Sequence, residues 1–373
     1  MAWTTIEFEV LTPMFVGNAD QRAEFRVPSL RGAMRYWFRA LAGPCVGDDV
    51  SRLARVERLV FGSGDEGSSS PVLLRCDRAP DARAEKNPPW VDQRVGYMLG
   101  PGLHRAGREG GLTRSFLAPG SKGTIGLRLT RAEGGKQEDL RTVVTCTLWA
   151  LSVYGGLGAR ARRGFGGIAF TGLDGLCPRL PAADPLALQV LRDIFAEALA
   201  RLAPGEMAVP PEEGYPSFPS FSCWWTPESS EDLSAGLYPT WNSALQAASG
   251  NLRAYRAPID AGRFGHTVEY DHWVRGCHLN PAPTGFTLAA FGLPILFKGG
   301  AKVGLAKASA DRRASPLWIR TLPEGDKWRL LYHLSKAELF PPGATLALDR
   351  TPLPPLSERT AYDYLFEWTL QAP

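Results

Sequence analysis

One stretch of thirteen residues combines glycines, arginines and an aromatic ring, a composition suited to holding a sugar-phosphate chain. It runs from Gly155 to Gly167 and contains six glycines. Glycine lets a backbone approach a ligand closely, and arginine offers a flat charged fork to phosphates. The alternative is a flexible turn with solvated charges, but six glycines cost ordering entropy that a plain turn does not need. The residues predicted to contact a polynucleotide here are Gly156, Gly158, Arg160, Arg162, Arg163 and, as a stacking ring, Phe165.

A second basic feature is a set of three arginines spaced by four residues. Arg31, Arg35 and Arg39 recur in a segment that reads as a helix from Ser29 to Ala42. They would project from one side as a basic rail while the apolar residues pack inward. We predict that Ser29 caps this helix and that the free amides at its start favour a phosphate. The alternative is an ordinary solvated helix face.

Side chains suited to acid–base or metal chemistry are sparse. Asp20 precedes the arginine helix and could hold a magnesium ion or activate a ribose hydroxyl, although capping of a turn is the commoner use of such an Asp. One group of potential ligands lacks the tight paired spacing of a zinc site. That group is His266, His272, Cys277 and His278. We predict no catalytic residue, no metal and no cofactor, since P-loop, GxSxG and HExxH patterns are also missing from the sequence.

Hydrophobic periodicity places the basic residues in a βαββαβ order. Strands are predicted at 3–11, 71–76, 123–130 and 165–171, and helices at 29–42 and 138–154. This order is that of the ferredoxin-like unit, an antiparallel sheet with two helices on one face. RNA recognition motifs share it and bind RNA on the sheet face or its edges. A Gly/Pro-rich insertion at about 77–120 is long for a compact domain, which indicates a mobile or functional segment.

The second half of the chain suggests a more divergent unit of the same kind. A linking helix should begin at Asp184 and Pro185 and end near Leu202. Strands are predicted at 217–226, 286–297, 328–335 and 344–348, and a helix at 236–256. The predicted fold class is therefore α+β, with two ferredoxin-like units packed together. The expected domains are residues 1–177 and residues 178–373.

Composition fits an ordinary soluble protein, with 44% hydrophobic and 21% charged residues. No apolar run approaches the roughly 18 residues that cross a bilayer, and the N-terminal residues do not resemble a signal peptide, so we expect a cytoplasmic protein without a membrane partner. The net charge is only +4, but residues 1–175 hold 24 Lys and Arg against 18 Asp and Glu. The excess of Arg over Lys suits phosphate binding, although a GC-rich genome produces the same bias. The six cysteines form no CxxC pair.

Several short segments, spread in order over most of the chain, match one family pattern. They are Thr12–Gly17 with Ala19–Gln21, Glu24–Gly32 with Arg35, Trp37 and Arg39, Phe61–Ser63, Gly155–Gly167, Phe291–Ile295 and Arg312–Leu317. In these segments the chain resembles the RAMP superfamily of CRISPR proteins, and within it subunit one of the type III-B Cmr effector complex. Arg26 and Ser29 lie in the second segment and complete the set of residues predicted to bind RNA.

The resemblance implies a non-catalytic RNA-binding subunit of a ribonucleoprotein that acts in antiviral defence. It implies a place near the 3′ end of the guide RNA and the 5′ part of the target RNA, beside other RAMP subunits. In the related backbone subunits, an Asp in the loop after the first strand cuts target RNA, and Asp20 lies at the comparable place. The alternative function is therefore a metal-dependent endoribonuclease that acts on target or guide-precursor RNA.

Overall fold

The computed structural model describes residues 2–20, 22–64, 67, 69–107, 110–130, 136–225, 236–256, 259–260, 265–266, 286–296, 302–306, 313–341, 343–349 and 351–371. The elements of the N-terminal half are β1 (Thr4–Val10), α1 (Val27–Cys45), α2 (Val50–Phe61), β2 (Val72–Arg78), β3 (Ala82–Arg83), α3 (Gln93–Leu99), β4 (His104–Arg105), β5 (Gly111–Leu112), β6 (Phe116–Leu117), β7 (Lys122–Leu129), α4 (Gln137–Tyr154) and β8 (Ile168–Thr171).

The elements of the C-terminal half are α5 (Leu188–Leu202), β9 (Trp224–Trp225), β10 (Leu237–Tyr238), α6 (Trp241–Arg256), β11 (Ile259–Asp260), β12 (Gly265–His266), β13 (Ile295–Leu296), β14 (Lys302–Ala306), β15 (Leu317–Glu324), β16 (Lys327–Ser335), β17 (Thr345–Leu348), β18 (Thr351–Pro352) and α7 (Glu358–Gln371). Short 3-10 helices lie at Pro185–Ala187, Pro204–Glu206, Phe221–Cys223 and Thr287–Phe291. The fold is thus a mixed α/β arrangement of antiparallel sheets and helices.

The first sheet contains four antiparallel strands in the order β2-β7-β1-β8. Alternate residues of β1 point into the core, so that Ile6, Phe8 and Val10 are buried together with the apolar faces of α1 and α4. The predicted strands at 3–11, 71–76 and 123–130 and both predicted helices are confirmed. The last strand begins at Ile168 rather than at residue 165, because the residues before it belong to the glycine-rich loop.

Helix α1 begins two residues earlier than the sequence suggested. Its cap position is Arg26, Pro28 occupies the first turn as proline favours, and the amide of Ser29 donates to the carbonyl of Arg26 at 3.0 Å. The prediction that Ser29 caps the helix is wrong, because Ser29 already lies inside the first turn. The predicted apolar stripe, which includes Met34 and Trp37, is buried.

Helix α2 was not predicted and packs beside α1. Asp49 caps it by accepting a hydrogen bond from the amide of Arg52 at 2.8 Å. Leu53, Val56 and Val60 recur at helical spacing and are buried in the first core. The helix therefore covers one flank of α1, and this position decides what the arginines of α1 contact.

The described part of the insertion at 77–120 is folded. It contains helix α3 and the short strand pairs β3-β6 and β4-β5. Val95, Met98 and Phe116 are buried and belong to a second hydrophobic core, whose other members are Phe15, Phe165 and further residues of the insertion and of the C-terminal half. The insertion therefore connects the two halves of the molecule.

The C-terminal half contains two further antiparallel sheets. One has the order β10-β16-β15, with β9 also paired to β16, and the other has the order β13-β14-β17-β18. The strands predicted at 328–335 and 344–348 are confirmed as β16 and β17. The helix predicted at 236–256 is confirmed from Trp241 onward as α6, but its first residues include strand β10. The strand predicted at 217–226 shrinks to β9, and at 286–297 a 3-10 helix and a turn at Gly292 precede the two residues of β13.

Helix α5 confirms the predicted helix ending near Leu202, but it does more than link two halves. Its buried side chains, including Leu191 and Phe195, join the first core beside α1 and α4. Within the described residues, no helix is long and apolar enough to cross a membrane.

Candidate nucleic-acid interface

The segment from Gly155 to Gly167, here called the arginine loop, is fixed in place by backbone hydrogen bonds on two sides. The amide of Ala159 donates to the carbonyl of Phe15 at 3.0 Å, which ties the loop to the segment after β1. The amide of Ile319 donates to the carbonyl of Arg162 at 3.1 Å, which ties the loop to β15. The loop therefore joins the N-terminal and C-terminal halves and presents its arginines from a defined backbone.

The glycines of the loop allow neighbouring backbone segments of the protein to pack closely against it. Gly158 has a φ of +90°, and a Cβ atom there would lie 2.5 Å from the carbonyl oxygen of Phe15. Gly166 has a φ of +69°, and a Cβ atom there would overlap the carbonyl oxygen of Leu157. Gly156 is buried against Gly166, so its predicted contact with RNA is replaced by a contact within the protein. Of the two glycines that were predicted to contact RNA, Gly158 is exposed and Gly156 is buried.

Phe165 does not offer a stacking face to a base. Its side chain has 0% exposure and its ring lies edge-on to the ring of Phe15, with centroids 5.9 Å apart. The prediction was wrong because Phe165 belongs to the second hydrophobic core, where a phenyl ring is stabilised by burial.

The three arginines of the loop each bind a backbone carbonyl. The Nε atom of Arg160 donates to the carbonyl of Leu99 at 2.7 Å, and Nη1 of Arg163 donates to the carbonyl of Met98 at 3.2 Å. Both carbonyls belong to the last turn of α3, where helix carbonyls lack intrahelical donors and where the dipole favours positive charge. The folded insertion therefore positions these two side chains.

Arg162 is held by the C-terminal half. Its Nη1 atom donates to the carbonyl of Ser315. Its guanidinium carbon lies 4.8 Å from the ring centroid of Trp318 and 5.6 Å from that of Tyr36, within the range of cation–π attraction. Within the part of the chain that the structure describes, Nε and Nη2 of Arg162 have no hydrogen-bond partner. These two donors are therefore available to a ligand.

A cleft of about 490 Å³ opens between the arginine loop and the C-terminal half. The loop forms one wall, and the segments 291–294 and 313–319 form the other, with Leu252 of α6. Neither Asp nor Glu occurs among the described residues that line it. Its charged lining residues are Arg160, Arg162, Arg163 and Arg313. The cleft thus has the charge that suits an anionic ligand.

Arg313 differs from the loop arginines because it is occupied by the fold. Its Nε atom donates to the carbonyl of Leu339 at 2.6 Å, its Nη1 atom to that of Ala314 at 2.5 Å and its Nη2 atom to that of Glu338 at 3.3 Å. Burial lowers the pKa of Arg313. We assign Arg313 to holding the cleft wall in shape.

The arginines of α1 do not form the open basic rail that their spacing predicted. Nη2 of Arg35 donates to the carbonyl of Phe61 at 3.1 Å, and its Nη1 atom lies 3.3 Å from Glu57. Arg39 donates two hydrogen bonds to the same carboxylate, which raise the pKa of Arg39. The rail faces α2, whose Glu57 neutralises part of its charge.

Two of the other three predicted contacts in this region, Arg31 and Arg26, also have side-chain partners within the protein. Nη2 of Arg31 donates to the carbonyl of Val72 at 2.8 Å, and partial burial, followed by the charge of Arg35, lowers the pKa of Arg31. Nη1 of Arg26 lies 3.4 Å from the carbonyl of Gly17. RNA contacts by these residues stay predictions, but their hydrogen bonds show a structural use that the sequence did not reveal.

Helix α1 does meet the arginine loop, but through its aromatic residues. The ring of Trp37 lies 5.2 Å from that of Trp318, and Tyr36 lies 5.5 Å from Trp318. A Cβ atom at Gly155 would overlap Nε1 of Trp37, so this glycine permits the contact. Tyr36 and Trp318 support Arg162, a role that was not predicted from the sequence. The segment Arg312–Leu317, which carries part of the family resemblance, ends one residue before Trp318 and was the nearest indication in the sequence.

Two basic side chains, Arg320 and His333, form hydrogen bonds with the last carbonyls of α4. Arg320 has 0% exposure, and its guanidinium donates to the carbonyls of Ser152 and Val153 at 2.6 and 3.3 Å. Burial lowers the pKa of Arg320 to about 9. Nε2 of His333 lies 3.1 Å from the carbonyl of Tyr154, so this nitrogen donates. The carbonyls in the last turn of a helix have no hydrogen-bond donor within the helix, and strands β15 and β16 supply such donors to α4.

Asp20 lies in an exposed turn. The side-chain oxygen of Asn18 accepts hydrogen bonds from the amides of Asp20 and Arg22, at 3.0 and 3.2 Å, so Asn18 and not Asp20 stabilises the turn. Among the residues that the structure describes, no group of three or more His, Cys, Asp or Glu side chains could hold a metal ion. His272, Cys277 and His278 lie outside the described residues, as does Arg312.

Comparison with known proteins gives consistent similarities. Residues 7–169 match the model of the RAMP superfamily. Two curated relatives come from Pyrococcus furiosus. The CRISPR system Cmr subunit Cmr1-1 is 36% identical over 38% of this chain, and the match covers 39% of the relative's length. The CRISPR system Cmr subunit Cmr1-2 is 31% identical over 43% of this chain, and the match covers 91% of the relative.

A solved structure extends the similarity over nearly the whole fold. The crystal structure of apo Cmr1 from Pyrococcus furiosus superimposes with a TM-score of 0.56 at 21% identity. The superposition covers 99% of this chain and 96% of that structure. The antiparallel sheets of both halves therefore belong to a fold that has been observed before.

Proposed function

Because the chain belongs to the RAMP superfamily and, within it, to the family of Cmr subunit Cmr1, we propose that it is a non-catalytic RNA-binding subunit of a type III-B CRISPR ribonucleoprotein. In this proposal the chain holds the 3′ end of the guide RNA, the 5′ part of the bound target RNA, or both. Its other partners are further RAMP subunits of the same complex, in the cytoplasm. Sequence specificity comes from base pairing between the two RNAs.

One observation carries the proposal: the cleft beside the arginine loop is lined by arginines and, among the described residues, by no carboxylate. Attraction between arginines and phosphates dominates the affinity of proteins for nucleic acids and does not depend on sequence. Arg162 supports this role best, because its partners among the described residues are a carbonyl oxygen and two aromatic rings, none of which neutralises its charge.

The anchoring of the loop supports binding rather than hindering it. Because Arg160, Arg162 and Arg163 are already oriented by carbonyls of α3 and of the segment before β15, little side-chain freedom is lost when a phosphate arrives. The same contacts make the site depend on both halves of the molecule. We propose that each half is a ferredoxin-like unit, within residues 1–177 and 178–373, and that RNA lies at their junction. The strand order β2-β7-β1-β8 supports the first unit.

Binding of labelled single-stranded RNA over a range of salt concentrations tests the proposal. In the variant Arg160→Gln/Arg162→Gln/Arg163→Gln, the dependence of log Kd on log salt should weaken by about 0.7 for each phosphate that the protein no longer neutralises. A matched control removes three exposed arginines outside the cleft, as Arg179→Gln/Arg201→Gln/Arg359→Gln. Melting curves of both variants show how much of each protein is folded. If the two triple variants bind RNA with the same affinity and the same salt slope, the cleft is not the RNA site.

A further inference from the structure

The arginine loop reverses direction in a turn at residues 160–163, which line the cleft. The amide of Arg163 donates to the carbonyl of Arg160 at 2.8 Å and closes the turn. Arg160 has a φ of +64°, in the left-handed region, whereas the other residues of the turn do not enter that region. Turns of this kind direct successive backbone N–H groups toward a shared concavity that binds anions. The backbone of the turn thus favours an anion, in addition to its charged side chains.

Several donors of this turn have no acceptor within the described part of the chain. They are the backbone amides of Ala161 and Arg162 and the Nε and Nη2 atoms of Arg162. Another donor is Nε1 of Trp318, a residue that lines the same cleft, and this atom is buried without a partner among the described residues. Buried polar groups in folded proteins normally have hydrogen-bond partners. The cleft therefore suits a ligand that brings several acceptor oxygens close to Arg162.

The positive charge of the cleft is concentrated rather than spread along a groove. Arg160, Arg162 and Arg163 come from one turn, and Arg313 lines the opposite wall. A strand that crosses a protein surface carries one charge per phosphate, and a groove that follows the strand distributes its basic groups along that path. A phosphate monoester at the end of a strand instead carries about −1.5 to −2 charges and three strong acceptor oxygens at neutral pH. Charge and donors that are gathered at one turn suit such a terminal phosphate.

We propose that the cleft binds the phosphate monoester at one end of an RNA strand. Nε and Nη2 of Arg162 donate to its oxygens together with the amides of Ala161 and Arg162. The rings of Trp318 and Tyr36, with centroids 4.8 and 5.6 Å from the guanidinium carbon, keep the guanidinium in place. The volume of about 490 Å³ is that of a small-ligand pocket, so the cleft also admits the sugar that carries the phosphate. This inference rests on the proposed function and names the part of the RNA that the cleft binds.

Oligonucleotides that differ at their ends test the inference. We compare a single-stranded RNA that has a 3′-phosphate, the same RNA with a 5′-phosphate, and an RNA lengthened by about two nucleotides to match their charge, with hydroxyl groups at both ends. The protein should bind at least one phosphorylated RNA about 10-fold or more tightly than the hydroxyl-ended RNA, as expected for a hydrogen bond to a charged group. The end that gives the gain is the end that enters the cleft.

The same titrations separate the two proposals. Equal affinities for all three RNAs overturn the inference and leave the proposed function standing. Failure to bind any of the three RNAs overturns both.

Substitutions of Arg162 then assign the preference to this turn. Arg162→Lys keeps the positive charge but loses the flat fork that binds two phosphate oxygens, so the ratio of the affinities for phosphorylated and hydroxyl-ended RNA should fall toward one. Arg162→Gln removes the charge as well and should abolish the preference, and melting curves show that each variant is folded. Arg179→Lys, at an exposed position outside the cleft, is the matched control and should keep the ratio. A preference that persists in every folded Arg162 variant shows that the phosphate binds elsewhere and overturns the inference.

Discussion

Arg39 of helix α1 donates two hydrogen bonds to the carboxylate of Glu57 on helix α2, at 2.5 and 2.8 Å. Glu57 also lies 3.3 Å from Arg35, so one carboxylate ties two of the three helix arginines to a neighbouring helix. Its side chain is only 10% exposed, whereas that of Arg39 is 46% exposed. The pair therefore stabilises the packing of α2 on α1, with part of its strength screened by solvent.

Replacing Glu57 with Gln should destabilise the protein without weakening RNA binding. The free energy of unfolding should fall by about 1–2 kcal/mol, since hydrogen bonds from charged donors are removed next to a partly solvated pair. RNA affinity should stay the same or rise, because the charge of Arg35 and Arg39 is no longer neutralised. Urea denaturation and an RNA titration measure the two quantities. Glu138→Gln, which breaks the exposed pair with Arg141, is the control. A loss of RNA affinity in Glu57→Gln would show that the Glu57 contacts position the arginines for RNA.

Arg320→Leu should be among the more destabilising single substitutions in the junction. The change leaves the carbonyls of Ser152 and Val153 without their donors at the end of α4. It also removes a buried charge, so the two effects partly offset each other, and we expect a net loss of about 2–4 kcal/mol. Thermal and urea unfolding measure it. Arg359→Leu, whose side chain is 91% exposed, should change little. Equal stability of the two variants would mean that the donors of Arg320 are dispensable.

Local patterns predicted the elements of the first sheet well, because each depends on side chains close together in the chain. The alternation of Ile6, Phe8 and Val10 and the stripe that includes Trp37 both point to one buried face. Helix α2 was not predicted, although the capping residue Asp49 and the helical spacing of Leu53, Val56 and Val60 are typical of a helix.

The candidate site could be predicted in composition but not in geometry. The arginine loop was found from its residue types, yet whether an arginine faces solvent depends on partners far away in the sequence. Arg162 binds Ser315, which is 153 residues later, and Arg39 binds Glu57 of a helix that was not predicted. Phe165 was predicted to be exposed because the glycines around it suggested a loop, whereas its ring is buried in a core to which both halves of the chain contribute.

The stability of the protein should fall in mild acid because of His333. This side chain has 0% exposure, and burial, followed by the charge of Arg320, lowers its pKa well below 6.5. In the folded protein His333 is therefore neutral in a range where the unfolded chain binds a proton. The contribution of His333 to the free energy of unfolding is fully present above about pH 6.5. It is lost as the pH falls toward the lowered pKa, by at most about 1.4 kcal/mol per pH unit.

The contribution of His333 can be isolated from that of the carboxylates. Urea denaturation of the wild type and of His333→Gln between pH 7.5 and 5 (about the range that a His titrates) gives two curves of unfolding free energy. The side-chain amide of Gln can replace Nε2 of His333 as the donor to the carbonyl of Tyr154 but does not titrate, so the wild-type curve should fall more steeply below pH 6.5. Parallel curves would mean that His333 gains its proton in the folded protein as easily as in the unfolded chain.

Phe165→Ala distinguishes a core residue from a residue that stacks on RNA. Because the ring is fully buried against Phe15, its removal leaves a cavity and should cost about 3–5 kcal/mol, while Phe165→Leu should cost less. The RNA affinity of the protein that remains folded should equal that of the wild type, measured at a temperature well below the lowered Tm. Ultraviolet crosslinks to RNA should map to the cleft and not to Phe165. A variant with wild-type stability and weakened RNA binding would instead place the ring of Phe165 on the bound RNA.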